Sequence, residues 1–180
     1  MTETPAHVHE FDWPDRVVIG TVGRPGARTF YLQVRAGARL MSVALEKQQS
    51  AIMAAKIDEI LDELMALEGN PHSVPASTPA ELVDNDPLEP VQERFRVGAI
   101  GLGWDPSTAQ VVVEVHPLVE DESDQLLGAE SEAVLVRMPV GAARSFARRT
   151  REVVDAGRPF CSDCGQPIDP DGHDCTLPDS

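Results

Sequence analysis

The first 160 residues contain no cysteine. That excludes a disulfide framework, and a catalytic thiol, from the body of the chain. Basic charge is scarce: 15 Lys and Arg stand against 30 Asp and Glu, for a net charge of −15. A phosphate backbone would be repelled by such a surface, so general nucleic-acid binding is not expected. Lysine is rarer still, with Lys47 and Lys56 the only two. The remaining bases are arginines, a bias read first as that of a GC-rich genome. No apolar run approaches the length of a membrane span, so no membrane partner is expected. The opening "MTETPAHVHEFDWPDR" has neither a basic start nor an apolar stretch. No secretory signal is read there, and a cytoplasmic, reducing location is the expectation. No P-loop, nucleophile elbow or zincin motif occurs either.

What the body lacks, the tail holds. "CSDCGQPIDPDGHDC" contains all three cysteines and one of the five histidines. Cys161 and Cys164 form a C-x-x-C knuckle followed by Gly165, and His173 and Cys175 follow as H-x-C. Three thiolates and one imidazole make a complete tetrahedral set for structural Zn²⁺, with no position left open for catalytic water. An odd cysteine count argues against disulfides, and the surrounding Asp163, Asp169, Asp171 and Asp174 argue against burial as free thiols. The tail has few apolar residues, so metal binding would supply its folding free energy. From Gly157 to Ser180 the one base is Arg158, against five aspartates, which again opposes nucleic acid.

The body reads as two halves of one plan. "RVVIGTV", "TFYLQVR" and "RLMSVALE" are three strands with short turns, and Phe30, Leu32 and Val34 share one face. Met53, Ile57, Ile60, Leu64 and Leu67 then recur at helical spacing, and Gly69-Asn70-Pro71 ends the helix. Residues 68–91 form an acidic, proline-rich linker, expected to be solvated. "RFRVGAIGLGW", "AQVVVEVHP" and "EAVLVRMPV" repeat the strands. "GAARSFARRTREVVDAG" repeats the helix, with Ala143, Phe146, Ala147, Thr150, Val153 and Val154 inward. The expected fold is α+β, with two β-β-β-α repeats over residues 1–156. They would form antiparallel sheet or sheets of pseudo-two-fold character, covered by two helices and followed by a zinc knuckle at 157–180.

Three further features carry chemistry. "GAIGLGW" is glycine-rich but precedes a strand rather than a helix, so it reads as a β-turn and not a phosphate loop. "HVHEFD" offers His7, His9, Glu10 and Asp12, but reads as a mobile terminus rather than a second metal site. On the second helix Arg144, Arg148 and Arg151 stand at i, i+4 and i+7 as one outer stripe. That stripe is either a solvated face or a docking surface for an anion or acidic partner.

The strings "EFDWPDRVVIGTVGRPGARTFYLQ", "NPHSVPAS", "GLGWD" and "PFCSDCGQPIDPDGHDCTLPD" resemble an actinobacterial conserved-hypothetical family, domain of unknown function 3090. The resemblance covers nearly the whole chain and implies a bacterial cytosolic protein, without implying an activity. Two functions fit the residues. The first is a non-catalytic accessory or adaptor protein that contacts a protein partner. The alternative is an enzyme with a cleft between the repeats, acting on a phosphorylated or anionic metabolite. The second predicts a pocket between the halves with converging arginines and carboxylates.

Overall fold

The computed structural model describes residues 7–24, 26–119 and 132–156. The zinc-knuckle residues and the acidic loop at 120–131 lie outside the described residues. Seven strands form one mixed sheet: β1 (His7–Asp12), β2 (Arg16–Val22), β3 (Thr29–Ala36), β4 (Arg39–Leu45), β5 (Glu93–Asp105), β6 (Gln110–Pro117) and β7 (Glu132–Pro139). Two helices, α1 (Lys47–Met65) and α2 (Val140–Ala156), follow β4 and β7. The sheet order is β1-β7-β6-β5-β4-β3-β2.

Both expected strand triplets are present, each followed by its helix. β2-β3-β4 and β5-β6-β7 follow one another consecutively along the sheet, in the same order. The sheet is not wholly antiparallel. Helix α1 and the segment after it carry the chain back across the sheet, so β5 lies parallel to β4. That seam is irregular, with a register shift between the Ser42–Glu93 and Ala44–Arg96 pairs.

The N-terminal segment is a strand, not a loose end. β1 pairs in parallel with β7 from His7–Glu132 to Asp12–Arg137. Backbone pairing holds it, since Phe11 is buried while Val8 is exposed, so little apolar alternation marks it. β1 and β2 are opposite edges, yet Trp13–Asp15 alone connect them. A flat sheet of this width would separate its edges by about 29 Å, far more than three linking residues can span. The sheet is therefore curled. Arg39, at the start of β4, accordingly reaches β1, donating to the Glu10 carbonyl at 3.0 Å and lying 4.3 Å over the Phe11 ring.

Phe30, Leu32 and Val34 of β3, Val111, Val113 and Val115 of β6, and Val134, Val136 and Met138 of β7 face the helices. From α1 come Met53, Ala54, Ile57 and Leu61, and from α2 Ala143, Phe146, Ala147 and Val154. The α2 stripe matches its periodicity, with Val153 half-buried at its margin. On α1 the stripe ends early: Leu67 lies beyond the helix and is exposed.

The glycine-rich "GAIGLGW" is not a turn but the middle of β5. Its glycine has a packing role. A Cβ on Gly98 would stand 2.8 Å from the Leu118 Cα and 3.1 Å from the Pro117 carbonyl oxygen, so only glycine admits that backbone.

The linker between the halves is not a free, solvated loop. Asp84 receives Arg16 Nε at 2.7 Å and Arg149 Nη1 at 3.0 Å. Gln33, buried in β3, exchanges hydrogen bonds with the Glu89 backbone, accepting at 2.8 Å and donating at 3.0 Å. Leu88 covers Gly20 so closely that a Cβ there would meet its Cγ at 2.5 Å. Residues 84–89 thus form a strap across β2 and β3. Hydrogen bonding from Arg16 holds the Asp84 carboxyl below the ordinary carboxylate range, against the opposing effect of burial.

Candidate functional site: the cleft between the two helices

Helices α1 and α2 pack against each other, one from each half. On α1, Asp58 and Asp62 are one turn apart; on α2, Arg144, Arg148 and Arg151 are spaced likewise. These opposite stripes face one another. Arg144, expected on the outer face, is buried and serves as the hub. Its Nη1 donates to Asp58 Oδ1 at 2.9 Å and Asp62 Oδ1 at 3.0 Å, and its Nε to the Pro75 carbonyl at 2.9 Å. Arg151 Nη1 stands 2.5 Å from Asp58 Oδ2. Arg148 remains half-exposed and pairs with Glu152 of its own helix at 3.0 Å. The flank of α2 beside its apolar stripe is covered by α1, which is why an apparently outer position is enclosed. The sequence showed the Asp58/Asp62 spacing on α1, but nothing local to either helix pairs it with the α2 arginines.

A third wall comes from the segment after α1. Asn70 and Ser73 adopt left-handed φ values of 43° and 52°, uncommon for residues with side chains. The Asn70 amide compensates: its Oδ1 accepts from Val74 N and its Nδ2 donates to Val74 O, both at 3.0 Å. Val74 is thereby buried, and His72 meets Trp104 edge-on at 5.0 Å. The chain then passes over Arg144, and Ala76, Ser77 and Thr78 close a cleft of about 390 Å³ with the acids and arginines. Strained residues held in place by surrounding contacts are a common feature of ligand sites.

One guanidinium nitrogen in the cluster has no partner. The Arg144 side chain is 6% exposed, and its Nη2 makes no hydrogen bond. Leaving a buried donor unpaired costs about 1–3 kcal/mol. Arg144, Arg148 and Arg151 line one cleft with Asp58 and Asp62, and with Glu152 beside Arg148 the cluster is close to charge-balanced, in a chain of net charge −15.

Two other hollows are chemically different. A groove of about 420 Å³ between α1 and β5 is lined chiefly by Ile52, Met53, Ile100 and Leu102. A hollow of about 250 Å³ at the start of α1 holds Arg28, Lys47 and Arg96, the last paired with Glu46. Elsewhere the candidate groups have structural partners. His9 Nε2 lies 3.0 Å from Glu132 Oε1, which also receives Arg94 Nε at 2.6 Å. His116 lies 3.3 Å from Glu114. Among the described residues, no group of three or more His, Cys, Asp or Glu side chains is arranged to hold a metal, and no helix is long and apolar enough to cross a membrane. Cys161, Cys164, His173 and Cys175 lie outside those residues.

No curated protein and no solved structure matches the chain. A family model does, over residues 9–175, a span that ends on Cys175 and so includes all four candidate zinc ligands. The chain belongs to the family described as protein of unknown function, DUF3090.

Proposed function

We propose that the protein is a zinc-bearing accessory protein whose body captures a small anionic ligand in the cleft between α1 and α2. The observation that carries this reading is the set of three arginines lining one cleft: Arg144, buried and held by Asp58, Asp62 and Pro75, and the half-exposed Arg148 and Arg151. Arginine is the residue suited to forked recognition of an oxyanion. The Arg148–Glu152 pair is exposed and worth about 0–1 kcal/mol, so an incoming anion can displace it.

Binding rather than catalysis is favoured by the carboxylates. Asp58 faces Arg144 with one oxygen and Arg151 with the other, which leaves it committed as a structural anion rather than free as a base. The test is thermal shift of the full chain with phosphate and citrate at low salt. Stabilisation that is lost in the Arg148→Gln/Arg151→Gln double variant supports the reading. Equal stabilisation of both proteins refutes it.

The zinc proposal places one Zn²⁺ on Cys161, Cys164, His173 and Cys175, on the chemistry of the donor set. Three thiolates, a neutral imidazole and the five tail aspartates would give that segment a negative surface, suited to packing on its own body or on a basic or neutral protein face. A protein-docking role for the body finds separate support in Trp13, which is 63% exposed and held at φ 52° in the tight β1–β2 link. Pull-down with a Trp13→Ala variant tests it: a specifically captured partner should be lost.

A further inference from the structure

We propose that the ligand of the α1/α2 cleft is a phosphate monoester of a hydroxylated compound of single-ring size, that is, a sugar or polyol phosphate. This rests on the anion-binding reading above and narrows it. The first argument is the number of donors. A carboxylate offers two oxygens on one edge and is matched by a single guanidinium. Here the half-exposed guanidiniums of Arg148 and Arg151 and the hydroxyl of Ser77 border one cleft, which the buried Arg144 also lines. That set suits a group with three oxygens and up to two charges.

The second argument is Asp62. Its side chain is 62% exposed and it lines the same cleft. A carboxylate beside an anion site repels a second anionic group and accepts hydrogen bonds from hydroxyls. A dicarboxylate or a diphosphate is disfavoured by it, and a neutral polyol is welcomed. The third argument is the wall. Among the described residues, Ala76 is the one apolar residue lining the cleft, and no aromatic ring lines it. A nucleobase would find nothing to stack on, and an acyl chain no apolar surface. About 390 Å³ admits a phosphate with one sugar ring.

The experiment is isothermal titration of the full chain at low ionic strength with ribose 5-phosphate, inorganic phosphate, AMP and succinate. The expected order places ribose 5-phosphate about ten-fold tighter than each of the others, a ratio equal to about 1.4 kcal/mol. Arg148→Gln should weaken ribose 5-phosphate and inorganic phosphate alike. Asp62→Asn, isosteric and checked by its melting temperature, should weaken ribose 5-phosphate and leave inorganic phosphate unchanged or tighter. If phosphate binds through Arg148 but ribose 5-phosphate gains nothing, or if succinate or AMP binds best, the sugar-phosphate class is overturned and the anion site stands. If none of the four binds, both fall.

Discussion

Arg144 of α2 donates to Asp58 of α1 at 2.9 Å, with the two side chains only 6% and 12% exposed. This contact joins the helix of the first unit to the helix of the second, and the candidate site is built around it. Breaking one partner of a buried pair leaves the other charge uncompensated, at a cost of about 3–5 kcal/mol. Arg144→Met is therefore expected to destabilise the body by about 3 kcal/mol, read by urea denaturation. Because Arg151 still faces Asp58, the loss should sit at the lower end of that range, and Arg144→Met/Asp58→Leu should recover part of it.

The strap is expected to respond to acid. The folded Asp84 pKa is lowered, chiefly by the hydrogen bond from Arg16, so its stabilisation is present above the unfolded carboxylate pKa of about 3.9. It is lost as pH falls through the folded value. Melting temperature should drop more steeply below about pH 4 in the wild type than in Asp84→Asn. At neutral pH the variant should be the less stable by about 1 kcal/mol, a modest figure because the pair is partly open to solvent. Parallel melting curves at all pH values would refute the assignment.

Gly98 is expected to tolerate no side chain. Its close neighbours are the backbone of Pro117 and Leu118, which cannot swing aside like a flexible side chain. Gly98→Ala should cost about 1–3 kcal/mol, while Gly103→Ala, in the same strand with open space at its Cβ position, should cost under about 1 kcal/mol. Thermal denaturation of the two variants compares them directly.

The tail is expected to bind about one zinc per chain, measured by metal analysis of purified protein. Cys164→Ser should lower the zinc content and leave the melting of the body nearly unchanged. Full zinc content in that variant would exclude this ligand set.

Much of this architecture was legible because it depends on local periodicity. The alternation of Phe30, Leu32 and Val34 and the helical recurrence of Ala143, Phe146, Ala147 and Thr150 set their faces whatever packs on them. What was not legible depends on neighbours distant in the chain. β1 turns His9 and Phe11 inward and Val8, Glu10 and Asp12 outward, but Phe11 is its one buried apolar residue, so its sequence carries little apolar alternation. Asp84 and Glu89 look like solvated acids until Arg16, Arg149 and Gln33 are brought to them. Arg144 looked solvent-facing because its flank of α2 is covered by α1, from the other unit. The direction of β5 beside β4 likewise follows from the crossover rather than from the residues of either strand.

The central claim is that the arginines of α2 form the anion site. Arginine Nε–Hε resonances followed by NMR, with ribose 5-phosphate titrated into the full chain, test it most directly. The account predicts saturable shifts at Arg144, Arg148 and Arg151, with Arg28 and Arg96 at the other basic hollow unmoved. Shifts at Arg28 and Arg96 while the α2 arginines stay still, or no shift at any of the five, would contradict it.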